Sequence, residues 1–291
     1  MARPRAPEHV LENGIALDEV QLLYVPVPRA GSTAVLWALA ESEQLPEERF
    51  FESGKLEVTR ALTVHDLSLW GEARRLAGRS SKDLDRILSS DEWCRFTVIR
   101  EPVRRIWSAW LTKVLLRDPR FVTAFGAEDW FPRRVGDAGG VVAAFRSFVA
   151  VLGERPAEWH DPHWSAQADL AGVDDVAYSL VARMEELPAA LALVDEHLGM
   201  HGRRPLVLRH ENASLLPFTP GLLDGAAAGA LAAWASRDRR AFGYPELPAG
   251  EGLDADWVAG VQASLPAVRA VAERNERIGD LRALLRRSRA S

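Results

Sequence analysis

The chain has 291 residues, 47% of them hydrophobic, and a formal net charge of −5 at pH 7. This length can bury a full core as one large domain, with or without an appendage. The negative charge offers no bulk attraction to nucleic acid or to an anionic membrane, so we expect neither as a partner. Cys94 is the single cysteine, which excludes an intrachain disulfide, and its place in an apolar run predicts a buried core residue.

The sequence shows no segment of the kind that enters a membrane. Its longest apolar stretch, Gly225 to Ala235, is too short for a transmembrane helix, and residues 1–14 contain no hydrophobic core of a signal peptide. We therefore expect a cytoplasmic protein. Only three of the 36 basic residues are lysine, and this excess of arginine, with abundant alanine and glycine, suggests a GC-rich bacterial gene.

Short apolar runs alternate with segments of helical period along the chain. Such alternation predicts an α/β fold in which helices cover both faces of a P-loop-like parallel sheet. The predicted strands are Leu22–Val27, Val58–Val64, Arg95–Ile99, Ser179–Met184 and Leu206–Leu208, and the predicted helices are Thr33–Glu41, Val103–Leu116, Val141–Leu152, Leu187–Leu198 and Leu223–Ala241.

The remaining segments indicate the domain limits. Residues 117–139 have no clear period, which is typical of a lid or binding loop. A stretch rich in glycine and proline, 244–252, predicts a boundary, and the helical pattern that follows it is interrupted near Pro266. We expect an N-terminal extension (1–19), a main domain (20–248) and a helical appendage (249–291) packed on that domain, with a homodimer interface as the alternative.

The stretch from Tyr24 to Thr33, YVPVPRAGST, has the features of a phosphate cradle. An apolar strand is followed by a short turn and then by the start of a helix, where unpaired backbone N–H groups and the positive end of the helix dipole attract anions. Gly31 lets the backbone approach an anion closely, and Arg29 supplies a charged fork. Ser32 and Thr33 are expected both to cap the helix and to contact the anion.

A second anion site is predicted about seventy residues later. Arg100 follows the apolar run that ends at Ile99, and Ser108 lies two turns into the next helical segment, so both can reach one anion. Because the carboxyl ends of parallel strands meet at one edge of a sheet, Arg29 and Arg100 are expected near each other. Arg105 and Lys113, in register with Ser108, are expected to give structural or electrostatic support.

These two motifs resemble those of a known family. PRAGST (28–33) is similar to the PKxGST loop of sulfotransferases that use 3′-phosphoadenosine-5′-phosphosulfate (PAPS), and REPVRRIWSAWLTK (100–113) resembles their REPxxRxxSAxxxK motif. The carbohydrate (Golgi-type, family 2) members are the most similar. Weaker similarities follow in the family's order, over about residues 20–245: His163-Trp164 with Gln167, Met184 to Leu187, His210 to Ser214, and Asp238 followed by Phe242-Gly243-Tyr244.

The resemblance implies a function and assigns roles to residues. It implies the sulfotransferase fold, PAPS as co-substrate, adenosine bisphosphate (PAP) as product, no metal, and a hydroxyl of a carbohydrate or natural product as acceptor. By resemblance the donor-binding residues are Arg29, Ala30, Gly31, Ser32 and Thr33 for the phosphosulfate, Arg100 and Ser108 for the 3′-phosphate, and Thr219 in a loop near the adenine. Arg29 departs from the family, which has lysine there, and it is also the residue expected to stabilise the leaving group.

The general base that the acceptor hydroxyl needs is a histidine by the same resemblance. His65 is the only histidine between the two motifs, where relatives have theirs, and a histidine pKa suits the task. His163 is the alternative, because His160 and His163 lie in a segment rich in tryptophan and proline that suits an acceptor pocket. Asp66 is open to two further roles, orienting an imidazole or binding a metal.

Two other functions remain open from the sequence. A magnesium-dependent nucleotide kinase or NTPase is one, although the loop lacks GxxxxGK[ST], since Pro26 and Ser32 stand where its first glycine and its lysine belong. A catalytically silent nucleotide-binding protein is the other, and the arginine at position 29 is its only support.

Overall fold

A computed structural model describes residues 7–55, 58–155, 161–209 and 214–290. The chain forms two compact units. The first comprises the residues up to Glu101 together with Ser165–Asn212, and the second comprises Pro102–Trp164 together with the residues from Ala213 onward. The domain limits expected at 19 and 248 stay predictions.

The first unit is built on a four-stranded sheet. Its strands are β1 (Ile15–Leu17), β2 (Leu22–Val25), β3 (Cys94–Ile99) and β4 (Leu180–Arg183), in spatial order β1-β2-β3-β4. β1 pairs antiparallel with β2, whereas β2, β3 and β4 are parallel. Three of the predicted strands are therefore confirmed within a residue or two at each end. β1, which the sequence analysis missed, lies in the predicted N-terminal extension.

Helices cover both faces of this sheet, as predicted. They are α1 (Glu8–Asn13), α2 (Ser32–Ser42), α3 (Glu47–Phe50), α4 (Ser81–Ser89), α8 (Gln167–Ala171), α9 (Leu187–Ala190) and α10 (Ala192–Met200). Successive side chains of a strand point to opposite faces. Leu22 and Tyr24 accordingly pack in a cluster with residues of α2 and α10, while Leu23 and Val25 pack in another with residues of α1 and α4. Cys94 is buried as predicted, and its burial raises the pKa of the thiol to about 11.

In the second unit, all the secondary structure that is described is helical. Its α-helices are α5 (Pro102–Trp110), α6 (Pro119–Phe125), α7 (Ala138–Glu154), α11 (Gly225–Trp234), α12 (Ser236–Phe242) and α13 (Ala255–Ala290), and α5 continues into a π-helical turn, Leu111–Leu115. Aromatic side chains dominate its core, where Trp107 stacks on Trp110 at 5.2 Å and both rings meet Phe145 edge-on or nearly so. Such pairs add to the stabilisation that burial of their large area provides.

Two predicted strands are wrong. Residues 58–64 contribute to a 3-10 helix, Arg60–His65, because indole groups rather than a neighbouring strand bind the carbonyls of this segment. The Nε1–H of Trp37 donates to the oxygen of Ala61 at 2.9 Å, and that of Trp70 donates to the oxygen of Val64 at 2.8 Å. Leu206–Leu208 is not a strand either, since its first N–H donates to the carboxylate of Asp195 at 2.7 Å.

Two expectations for the second unit are also wrong. Residues 117–139 are not a structureless loop, because they contain α6 and bury Phe121, Trp130 and Phe131 in the core. Their aromatic side chains follow no regular period, so the sequence pattern did not indicate that they pack in the core. Pro266 does not interrupt the C-terminal helix, which runs through it for 36 residues and buries Leu265 and Val268 on either side.

Across the four described stretches of chain, no helix is both long enough and apolar enough to cross a membrane.

Candidate active site

The turn between β2 and α2 adopts two left-handed conformations. Gly31 has φ = 80°, and Arg29, which is not a glycine, has φ = 69°. A Cβ built on Gly31 would meet side-chain atoms of Leu187 and Met184 only at 3.6 Å and beyond, so its backbone conformation, and not lack of space, favours glycine there. A left-handed conformation at an L-residue costs roughly 1–2 kcal/mol, so Arg29 carries strain in this turn.

The N-terminus of α2 is capped by no side chain. Gly31 occupies the N-cap, and Ser32 and Thr33 lie within the first turn of the helix, both buried. The expectation that their hydroxyls cap the helix is therefore wrong. No capping side chain accepts a hydrogen bond from the first N–H groups of α2, which suits a turn that receives an anion.

The hydroxyl of Thr33 contacts His65. Thr33 Oγ1 and His65 Nε2 are 2.9 Å apart, which is a hydrogen bond whose direction depends on the imidazole tautomer. His65 ends the 3-10 helix Arg60–His65, which the two indole groups described above hold in place. The structure thus brings His65 to the cradle, although through a helical turn and not through the predicted strand end.

Asp66 is bonded to serines. Its carboxylate accepts from the hydroxyls of Ser53 and Ser68, each at 2.7 Å, and Lys55 lies 3.8 Å away. Burial alone would raise the pKa of Asp66, but these hydrogen bonds and the lysine charge outweigh it and hold the pKa below its ordinary value. Asp66 therefore remains ionised at neutral pH and fixes the loop that follows His65.

Arg100 lies directly after β3, and its side chain reaches the cradle. Its Nη1 donates a long hydrogen bond, 3.4 Å, to the backbone oxygen of Arg29. This contact joins the two motifs that lie about seventy residues apart in the sequence, as the parallel arrangement of β2 and β3 requires.

Two side chains hold the backbone around Arg100. Gln167, fully buried at the start of α8, accepts from the Arg100 N–H at 2.9 Å and donates to the Arg100 oxygen at 2.8 Å. Glu185 accepts from the N–H of Glu101 at 2.8 Å. Sequence reasoning noticed Gln167 and Glu185 only as weak similarities and assigned them no role. The order of those similarities along the chain was the sequence feature that pointed to Gln167 and Glu185.

The other predicted residues belong to the second unit. Ser108 is buried in α5, and Thr219 precedes a short 3-10 helix, Pro220–Leu222. Arg105 is fully buried and donates to the oxygen of Pro162 at 2.8 Å, while Lys113 pairs with Asp118 at 2.8 Å, so both make the structural contacts expected of them. The roles of Ser108 and Thr219 stay predictions.

His163, the alternative base, forms a pair with Asp161. Its Nδ1 is hydrogen-bonded to the Asp161 carboxylate, which also accepts from the His163 backbone N–H at 2.9 Å. Burial alone would raise the pKa of Asp161, but the hydrogen bond and charge of His163 outweigh it and lower this pKa. His160 lies outside the described residues, and so do residues 210–213, which carry most of the weaker similarity from His210 to Ser214. In the described parts of the chain no group of three or more possible metal ligands occurs.

Comparison with known families agrees with this geometry. A sequence model of the Sulfotransferase family matches residues 15–214, which is more than half of the chain and includes both anion motifs. The chain belongs to the sulfotransferase family. No curated protein matches it, and no solved structure does.

Family membership fixes the general chemistry. The enzyme transfers sulfuryl groups, which removes the kinase alternative, and its family uses activated sulfate of the phosphosulfate type. The cradle suits such a donor, since the Arg100 guanidinium reaches the turn that precedes the uncapped start of α2.

Proposed function

We propose that this sulfotransferase moves a sulfuryl group from PAPS to a hydroxyl of a carbohydrate or natural product, with His65 as general base. The observation that carries the proposal is the 2.9 Å contact between His65 and Thr33, a residue of the cradle itself. A base must lie within hydrogen-bond reach of the reacting groups, and His65 is held at the turn that would bind the phosphosulfate.

The proposed reaction needs one proton transfer and one displacement. The acceptor oxygen forms a bond to sulfur while the bond between sulfur and the phosphate oxygen breaks, and adenosine bisphosphate departs. His65 takes the proton of the acceptor hydroxyl. Arg29 and the N–H groups of α2 stabilise the negative charge that develops on the leaving phosphate.

Donor binding is tested with adenosine bisphosphate, by titration calorimetry. Arg100→Ala removes a guanidinium that could make charge-assisted hydrogen bonds, so we expect affinity to fall about tenfold to a hundredfold. Arg204→Ala, which changes an exposed arginine of the same unit, should bind like the wild type. If Arg100→Ala and the wild type bind equally, Arg100 is not a donor-binding residue.

The base is tested by turnover with labelled PAPS and a panel of glycans and natural products. Loss of a general base lowers turnover by about a hundredfold or more, while nucleotide binding is retained. We expect this result for His65→Ala and only a small loss for His163→Ala. The reverse result would assign the base to His163, whose imidazole Asp161 holds.

A further inference from the structure

The second unit contains a cavity that the proposed reaction does not use. It has a volume of about 340 Å³, within the range of small-molecule sites, and is enclosed by Leu115, Arg117, residues 132–136 and one face of α13 from Val268 to Glu276. None of these residues belongs to the unit that contains the cradle.

Hydrogen bonds from arginine side chains hold residues 132–136, which form one wall of this cavity. The Nη1 of Arg117 donates to the oxygen of Pro132 at 2.7 Å and to that of Arg133 at 3.3 Å, and its Nε is bonded to Glu276. At the other end of the segment, Arg269 donates to the oxygen of Gly136 at 3.1 Å. Residues 132–136 are thus held in place at both ends before any ligand arrives.

The cavity wall is positively charged in a protein whose net charge is negative. Four arginines and two glutamates line it: Arg117, Arg133, Arg134, Arg269, Glu273 and Glu276. Arg133 and Arg134 are exposed, and within the described residues neither guanidinium has an ion-pair partner. The wall also includes apolar side chains, among them Leu115, Val135 and Val268.

Arg117 follows the π-helical turn and has φ = 55°, the left-handed conformation in which many helices end. Backbone hydrogen bonds close this end, from the N–H of Arg117 to the oxygen of Val114 at 3.1 Å and from that of Asp118 to the oxygen of Lys113 at 3.2 Å. The Arg117 guanidinium also lies 5.5 Å from the centre of the Phe131 ring. The side chain that holds the cavity wall is therefore anchored at the end of a helix.

We propose that this cavity binds an organic anion with a sulfate, sulfonate or carboxylate group on an apolar body. Arg133 and Arg134 would hold the anionic group at the mouth, because guanidinium groups bind such anions through paired N–H donors. The apolar part would lie against Leu115, Val268 and Ala272. The proposal does not depend on the donor, acceptor or base proposed above.

Two fluorescent probes test this proposal on the intact protein. Anilinonaphthalene sulfonate carries the anionic group, and the neutral phenylnaphthylamine has a similar body without it. We expect saturable binding of the sulfonate, weakened at least about tenfold in the double variant Arg133→Gln/Arg134→Gln, with binding of the neutral probe unchanged. Ala272→Trp, which puts an indole into the cavity, should weaken the binding of both probes.

The control is Arg274→Gln/Arg277→Gln, which removes two exposed arginines of α13 outside the cavity. It should bind the sulfonate like the wild type. Thermal unfolding of each variant checks that it is folded. The proposal is overturned if the wild type does not bind the sulfonate, if Arg133→Gln/Arg134→Gln binds it as tightly as the wild type, or if the control loses as much affinity.

Discussion

Arg29 has a backbone conformation that is costly to the fold, at a position where we propose that it binds the donor. Its left-handed conformation is strained, and glycine would relieve that strain while adding freedom to the unfolded chain. Because these effects oppose each other, we expect Arg29→Gly to change the free energy of unfolding by less than about 1 kcal/mol. Donor affinity should nevertheless fall about tenfold or more.

Arg29→Lys is the matched control, since it keeps both the charge and the strained backbone and restores the residue that relatives have. Calorimetry and urea unfolding measured on the same samples separate the two effects. A loss of several kcal/mol of stability in Arg29→Gly would mean that the arginine side chain holds the turn together.

Thr33 provides a second test, because its hydroxyl links the cradle to His65. Thr33→Val keeps nearly the same shape but removes the hydrogen bond, which leaves the imidazole without this partner. A hydrogen bond of this kind contributes about 1 kcal/mol, so turnover should fall several-fold. Thr33→Ser keeps the hydroxyl and should retain most of the activity. Equal turnover in Thr33→Val and the wild type would show that this contact does not position the base.

At the scale of elements, Gln167 connects α8 to the end of β3. Replacing it with leucine leaves the N–H and the oxygen of Arg100 without their partner, and each unsatisfied buried group costs about 1–3 kcal/mol. We expect Gln167→Leu to lower the free energy of unfolding by about 2–5 kcal/mol and to weaken donor binding.

Gln167→Glu tests the two hydrogen bonds separately, because a carboxylate still accepts from the Arg100 N–H but no longer donates to the Arg100 oxygen. It should retain part of the donor affinity. Gln262→Leu, at an exposed position of α13, should change neither quantity. Unchanged donor affinity in a folded Gln167→Leu would contradict a positioning role.

The sequence predicted best the elements whose apolar side chains recur as a short continuous run or at the period of a helix. β2 is a continuous apolar run and β3 is buried at every position, because helices cover both faces of the sheet, and α2 follows β2 after a turn that glycine marks. Residues 58–64 have the β-branched content of a strand, but the indole N–H groups of Trp37 and Trp70 bind their carbonyls. Trp37 lies 24 residues before Ala61, so the first of these contacts leaves no local pattern that the sequence could show.

At the scale of the whole molecule, contacts between residues distant in the sequence also limit how much of the site could be predicted. Arg29, Gly31 and Arg100 each follow a strand and belong to a motif, so the sequence could predict their places in the fold, while their roles stay predictions. His65 was predicted for its position between the motifs, yet the helical turn that places it was not. The role of Gln167 was missed, because it depends on a contact with a backbone that lies 67 residues earlier in the chain.

Three half-buried aspartates predict how the molecule responds to acid. Burial alone would raise the pKa of Asp118, but the charge of Lys113 outweighs it, and the pKa lies below its ordinary value of 3.8, as do those of Asp66 and Asp161. A carboxyl whose pKa is lower in the folded state stabilises the protein above the unfolded pKa, and this contribution is lost as the pH falls through the folded pKa. We expect the free energy of unfolding to fall steeply below about pH 4. Urea unfolding from neutral pH to about pH 2 measures this.

Asp118→Asn isolates one of these contributions, since it removes the carboxylate that pairs with Lys113 at 2.8 Å. The variant should be less stable at neutral pH, because a largely buried ammonium loses its partner, and its stability should fall less steeply in acid. Glu251→Gln, at an exposed position, should follow the wild-type curve. If Asp118→Asn ran parallel to the wild type at every pH, proton uptake by Asp118 would not contribute to acid unfolding, and the remaining loss would belong to other carboxylates.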